Sequence, residues 1–210
     1  MGATALTQFH RSIFMASKVD IVNAALRKIK ASTITSLTQN SEEARMANSR
    51  FTDILDHLLT LHPWNFAIAR KVLSRMADDP TYGWTYQFQL PVDPYCLHVL
   101  SVDGDVAFAV EGRSLMSDAA VMKIKYIGRI LDMNKLSATF REAFAYYMAA
   151  EFAGGIVGEP GLQKQMEEKF AYFFQKAKAT DAREGTAQQR SEGSWVNVRV
   201  NASNVKVIPS

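Results

Sequence analysis

Residues 58–67 constrain the fold of this chain more than any other stretch, because the hydrophobic period changes there. Before this segment apolar residues recur at helical spacing, and after it large and β-branched side chains alternate with polar ones. Pro63 disfavours the helical conformation at His62, so a long helix must end at this point. Trp64 and Phe66 then supply two large aromatic side chains for a core. The segment predicts a corner where helix gives way to strand, with Pro63, Trp64 and Phe66 as the junction between two parts of the molecule.

Two helices are predicted before this corner. Ser17 and Asp20 have the spacing of a capping box, which marks the start of the first helix. The Ser/Thr-rich residues 31–40 then predict a loop, and Ser41 with two following acids starts the second helix. The apolar stripe of the second helix runs up to the corner and consists of Ala44, Ala47, Phe51, Ile54, Leu55, Leu58 and Leu59.

Short alternating segments follow the corner and predict strands. The clearest is residues 84–90, where Trp, Tyr, Phe and Leu alternate with Thr and Gln. Residues 97–102 and 121–127 show similar patterns, and residues 107–115 predict a hairpin. Together these segments predict a small, mostly antiparallel sheet between residues 66 and 130.

Helical spacing returns after the sheet. Thr139 and Glu142 have capping-box spacing, Pro160 suits the first position of a last helix, and Gly185 suits its end. The predicted fold class is therefore α+β: a bundle of about four helices with an inserted small antiparallel β-sheet domain. The bundle comprises residues 17–65 and 131–185, and the sheet domain residues 66–130. Residues 1–16 are predicted to be a flexible N-terminal extension, and residues 186–210 an extended C-terminal tail.

The tail contains two alternating apolar pieces, at residues 195–200 and 205–208. Apolar alternation outside a domain predicts that the tail adds a strand to the sheet or surface of another chain. An extra edge strand on the protein's own sheet fits the composition equally well.

Composition restricts the classes of function. Net charge over the 210 residues is +3, Cys96 is the single cysteine, and the four histidines are scattered. These features exclude an intrachain disulfide and disfavour a dedicated zinc site. No apolar run approaches the roughly 20 residues that span a bilayer. We therefore expect no cofactor, no metal and no membrane partner.

The sequence offers little support for catalytic residues. Phosphate-binding loops, nucleophile elbows and zinc-protease motifs are absent from the sequence. The carboxylate pairs lie where caps and turns favour acids, at Glu42–Glu43, Asp78–Asp79 and Asp103–Asp105. Pro63 argues against a metal shared by His57 and His62, and Cys96 fits a core position. No catalytic residue is predicted.

Basic residues are a stronger candidate for function. Five of them cluster in the first helical third, at Arg27, Lys28, Lys30, Arg45 and Arg50. A solvated helix face is the simpler interpretation. A weak electrostatic lining for passing DNA is the alternative.

Several short motifs follow one another between residues 17 and 185. They are Asn23-x-Ala25-Leu26, Ile34-x-Ser36-Leu37, Leu58-Leu59-x-x-His62-Pro63-Trp64-Asn65-Phe66-Ala67, Gly83-Trp84-x-Tyr86-x-Phe88-x-Leu90-Pro91-x-Asp93, Val110-Glu111-Gly112-Arg113 and Ala177-x-Ala179-x-Asp181. In kind and in order these motifs resemble the tail tubular protein A family, the head–tail adaptors of short-tailed bacteriophages. Lys30 departs from the pattern, since relatives tend to have a glycine at the end of helix one.

The resemblance implies a structural virion protein without enzymatic activity. Its copies would form a homo-oligomeric ring, expected to be a dodecamer, that joins the portal protein to the tail nozzle protein and lets genomic DNA pass without sequence preference. The protein would be made in the host cytoplasm and reside at the head–tail interface of the virion. The tail would bind the portal through Trp195, Val196, Val198, Val200, Val205, Val207 and Ile208.

Two other functions stay open at the level of sequence. One is a tail-associated cell-wall or polysaccharide hydrolase, which would use some of the acidic pairs. The other is a small DNA-binding protein, which would bind duplex DNA as an isolated monomer in a salt-dependent manner.

Overall fold

The computed structural model describes residues 16–185, which form an α+β fold of four α-helices and six strands and confirm the predicted class. The predicted C-terminal tail and residues 1–15 of the predicted extension lie outside the described residues. The helices are α1 (Lys18–Lys28), α2 (Glu42–Thr60), α3 (Ala138–Phe152) and α4 (Pro160–Glu184). The strands are β1 (Ile68–Val72), β2 (Tyr86–Gln89), β3 (Cys96–Val102), β4 (Phe108–Glu111), β5 (Ser114–Ser117) and β6 (Lys123–Gly128).

Helix α1 has defined caps at both ends. The predicted capping box is confirmed, because the Ser17 side chain accepts from the Asp20 backbone N–H while the Asp20 carboxylate accepts from the Ser17 backbone. Hydrogen bonds donated to the Asp20 carboxylate by the Ser17 hydroxyl and by the Ser17 backbone N–H lower the pKa of Asp20. At the other end the Lys30 and Ala31 N–H groups donate to the carbonyls of Arg27 and Leu26, which is a Schellman motif.

Lys30 occupies the left-handed position of this motif, with φ 58°. This conformation costs a non-glycine residue roughly 1–2 kcal/mol. A glycine avoids that cost but loses more conformational freedom on folding, which offsets part of the gain. Lys30→Gly should therefore raise the free energy of unfolding by about 1 kcal/mol, measured by urea denaturation. Arg27→Gly, one turn earlier and also exposed, should instead lower it by about 1 kcal/mol. A lower free energy of unfolding for Lys30→Gly would show that the left-handed conformation of Lys30 is not strained.

Helix α2 follows its predicted stripe closely. Ser41 is its N-cap, and all seven predicted stripe residues are buried. The helix ends at Thr60, the chain makes a short 3₁₀ turn at Asn65–Ala67, and β1 begins at Ile68. The predicted change from helix to strand at this point is confirmed.

The strands form two antiparallel three-stranded sheets, where the sequence predicted a single small sheet. Sheet A has the order β1-β6-β3, and sheet B has the order β2-β5-β4. Residues 74–76 connect the sheets, because they leave β1 and pair with β2 through the Met76 N–H to Gln87 carbonyl bond and the Gln89 N–H to Ser74 carbonyl bond. The predicted hairpin is present as β4 and β5.

The N-cap of helix α3 lies two residues earlier than predicted. The Ser137 side chain accepts from the Phe140 N–H and is the N-cap, so the proposed capping box at Thr139 is wrong. After α3 a π-helical segment, Ala153–Val157, leads to α4, whose first residue is Pro160 as predicted.

Two hydrophobic clusters fill the interior. The larger joins all four helices, and Ile127 of β6 together with the partly buried Leu97 and Leu100 of β3 packs against it. The smaller lies between the sheets and includes Phe88, Leu115, Ile124 and Tyr126. Sheet A thus separates the two clusters, since neighbouring positions on β6 point to opposite clusters.

Candidate functional site

The corner after α2 is organised around Trp64. Its side chain is fully buried, and its indole N–H donates to the carbonyl of Leu58 at 3.0 Å. The indole ring packs edge-on against Phe140 of α3 and Phe174 of α4, with centroids 4.9 and 5.7 Å away. Phe66 stacks on the same indole at 5.7 Å. The two aromatic side chains of the predicted junction therefore anchor the corner in the helical cluster.

A polar cluster fixes the same corner to the end of α4. The Asp181 carboxylate has only 4% of its surface exposed. It accepts from the Asn65 backbone N–H at 2.9 Å and lies 3.3 Å from Nε2 of His62. The Asn65 side chain in turn donates to the Asp181 carbonyl at 2.6 Å. The last turn of α4 is thereby joined to the corner by three polar contacts.

A second connection joins the helices to sheet A. Arg129, just after β6, donates from Nε and Nη2 to the Asp56 carboxylate on α2. The hydrogen bonds to Asp56 raise the pKa of Arg129. The ring of Tyr95 lies 4.5 Å from the Arg129 guanidinium and 4.0 Å from that of Arg113. Sequence reasoning missed this ion pair because its partners are 73 positions apart.

The five predicted channel cations have different surroundings. Lys28 pairs with Glu142 at 2.6 Å and lies over the Tyr146 ring, and Arg50 pairs with Glu151 at 3.0 Å. These two connect α1 and α2 to α3. Arg45 donates to the Asn40 side chain. Arg27 and Lys30 are exposed. Two of the five side chains are therefore engaged in interhelical ion pairs.

A different group of cations shares one face of sheet A. Arg70 lies directly opposite Lys125, and Val72 directly opposite Lys123, on paired strands β1 and β6. Directly opposed residues point to the same side, and like charges in that position are destabilising. We call Arg70, Val72, Lys123 and Lys125 the basic sheet surface. It borders a groove of about 390 Å³, and Lys123 pairs with Asp103 at 3.2 Å. The lysine alternation in β6 was visible in the sequence, but its pairing with Arg70 was not.

The acidic pairs considered for hydrolysis lie in separate places. Glu42 and Glu43 occupy the first turn of α2, Asp79 pairs with Arg75 at 2.7 Å, and Asp103 pairs with Lys123. Residues 16–185 contain no group of three or more His, Cys, Asp or Glu side chains that could hold a metal ion.

The two histidines and the cysteine that were considered for metal binding or catalysis also make structural contacts. His57 packs against the ring of Tyr147, whereas His62 packs against Trp64. Cys96 is buried as predicted, and burial raises the pKa of its thiol. No helix in the described part is long and apolar enough to cross a membrane. The predicted portal-binding residues, from Trp195 to Ile208, lie outside the described residues.

Large apolar side chains are exposed on both parts of the molecule. On α4 the Tyr172 side chain is 64% exposed. In the sheet part the three most exposed large apolar side chains are Tyr82, Val92 and Val121, at 85%, 69% and 64%. We call the exposed side of α4 around Tyr172 the α4 surface, and the loops that carry the other three side chains the sheet-loop surface.

Comparison of the chain with protein-family models and with curated protein sequences finds no match.

Proposed function

We propose that this chain is a structural virion protein, a head–tail adaptor whose copies form a ring between the portal and the tail nozzle of a short-tailed bacteriophage. The proposal starts from the motif resemblance in residues 17–185. The structural observation that supports it best is that large apolar side chains are exposed on both parts of the molecule, at the α4 surface and at the sheet-loop surface. Copies in a closed ring meet through heterologous contacts, so each copy needs two different complementary faces.

A ring also needs every copy to hold the same shape. The Trp64 packing, the Asp181 cluster and the Asp56–Arg129 pair all fix the sheets to the helices. In this proposal the helices form the ring and the sheets project from it at a set angle. The tail after Gly185 reaches the portal, and the assembled ring belongs to the virion.

Tyr172→Glu tests the ring contact. A carboxylate on the α4 surface should prevent copies from associating, because a charge in the centre of an apolar contact must be desolvated without a partner. Light scattering of the protein mixed with portal should show a large complex for the unchanged chain and none for Tyr172→Glu.

Ala171→Glu is the matched control, since it adds the same charge at an exposed position of α4 that points roughly 100° away from Tyr172 around the helix. It should assemble like the unchanged chain. If Tyr172→Glu also assembles fully, α4 does not form the contact between copies.

DNA passing through the ring would contact the protein through cations without acidic partners. Arg70 and Lys125 of the basic sheet surface suit this role better than Lys28, Arg50 or Lys123, because those three are already paired with acidic side chains. Its opposed Arg70 and Lys125 repel one another, and a phosphate backbone would relieve that repulsion.

The double variant Arg70→Glu, Lys125→Glu should weaken binding to duplex DNA by at least tenfold at low salt. The slope of log affinity against log salt should become shallower by about 2, one unit per lost phosphate contact. Fluorescence anisotropy with random-sequence duplex measures both quantities. Lys164→Glu, Lys169→Glu changes net charge equally on exposed α4 positions and should change affinity much less. Equal losses in the two double variants would contradict a localised surface.

A further inference from the structure

Strand β4 lies at the edge of sheet B. The side chains on its inner face are apolar but are not covered by other parts of the fold. Phe88, Leu115 and Val110 are directly opposed across β2, β5 and β4, so all three side chains point to the same face. Phe88 and Leu115 are 1% and 0% exposed, whereas Val110 is 45% exposed. Phe108, in the neighbouring row of the same face, is 38% exposed. The apolar cluster between the two sheets is therefore open to solvent at β4.

The backbone of β4 has a free hydrogen-bonding edge. Gly112 and Arg113 form a two-residue turn, and Gly112 has φ 58° as the first position of a type II′ turn requires. Such a turn makes Glu111 and Ser114 a hydrogen-bonded pair, so the N–H and C=O groups of Phe108 and Val110 point away from β5. Within residues 16–185 no backbone hydrogen bond is made to these groups.

A groove runs beside this edge and separates it from β3. It has a volume of about 170 Å³, and its lining includes Val99 of β3 and Val110 of β4. Arg113 closes one end, because its guanidinium donates to the carbonyls of Cys96 and Pro91 at 2.7 and 2.6 Å. The edge is therefore an open site for one strand whose inward side chains are apolar.

We propose that residues 195–200 of the same chain pair with β4 as an additional strand. In this segment Val196, Val198 and Val200 lie on one face, and Trp195, Asn197 and Arg199 lie on the other. The valine face covers Phe108 and Val110, and the mixed face points to solvent. β-branched side chains at alternate positions suit this half-buried location.

The chain is long enough for this pairing. Helix α4 ends at Glu184, close to the corner from which β1 starts, because Asn65 bonds to the last turn of the helix. The nine residues from 186 to 194 can span roughly 30 Å when extended, about the diameter of a small domain. The pairing does not depend on the proposed function, and it leaves Val205, Val207 and Ile208 for a partner such as the portal.

Hydrogen exchange of the full-length protein, followed by mass spectrometry, tests the pairing. The amides of Phe108 and Val110 should be protected in the unchanged chain. Val198→Asp should accelerate their exchange at least tenfold, while Asn197→Asp on the solvent face should leave it unchanged. Protection of α2 in every variant shows that the fold is retained.

Three results would overturn the proposal. One is rapid exchange of Phe108 and Val110 in the unchanged chain, and another is equal protection in the Val198→Asp variant. The third is protection that disappears on dilution, because the strand would then come from a second copy instead of the same chain.

Discussion

Trp64→Ala is expected to lower the free energy of unfolding by about 3–5 kcal/mol, the range for removing a large aromatic side chain from a core. The indole has no exposed surface, and its ring contacts reach α3, α4 and Phe66. Its removal opens a cavity and leaves the Leu58 carbonyl without the indole donor. Urea denaturation followed by circular dichroism measures the loss.

Two variants separate the contributions to this effect. Trp64→Phe keeps an aromatic ring but loses the N–H donor, so its loss should be smaller, about 1–2 kcal/mol. Trp84→Ala removes the same side chain from a partly exposed position in the sheet part, and its loss should also be smaller. If Trp64→Ala costs no more than Trp84→Ala, the corner is not anchored by its indole.

Asp181→Ala is expected to lower the free energy of unfolding by about 2–4 kcal/mol. The substitution removes a buried carboxylate that accepts from the Asn65 N–H and contacts His62, and a hydrogen bond to a charged group contributes about 1.5–3 kcal/mol. The end of α4 should detach from the corner. Faster amide exchange in residues 176–184 would show this directly, alongside the denaturation midpoint.

Asp181→Asn is the conservative comparison, because its side-chain oxygen can still accept from the Asn65 N–H. It should retain about half of the stability that Asp181→Ala loses. Glu184→Ala, an exposed acid in the same turn, should change stability by no more than about 0.5 kcal/mol. A similar loss for Asp181→Ala and Glu184→Ala would mean that the cluster contributes nothing to stability.

The local pattern of apolar and polar residues was sufficient to predict most of the helices and strands. The period of α2 predicted every buried residue of that helix, because a single amphipathic face determines its packing. Pro63 and the following aromatic residues marked the corner for the same local reason. The predicted start of α3 was wrong because Ser137 and Thr139 both offer a capping hydroxyl, and only the folded position of the helix selects between them.

The contacts that hold the corner could not be predicted from local pattern. Asp181 and Asn65 are separated by 116 positions, so nothing near Asp181 indicates that its carboxylate is buried. The pairing of Arg70 with Lys125 depends on strand register, which alternation alone does not fix across a long connection. One local feature outside the corner was visible in the sequence. Lys30 stands where the family that the chain resembles tends to have glycine, and it adopts the left-handed conformation.

The most direct test of the proposed adaptor function is electron microscopy of the purified protein mixed with the portal protein that it is proposed to bind. We expect a ring of this protein stacked on one face of the portal, with a central channel and with the twelvefold symmetry that the family resemblance implies. Portal particles that stay bare, while the added protein remains unassembled in the background, would contradict it.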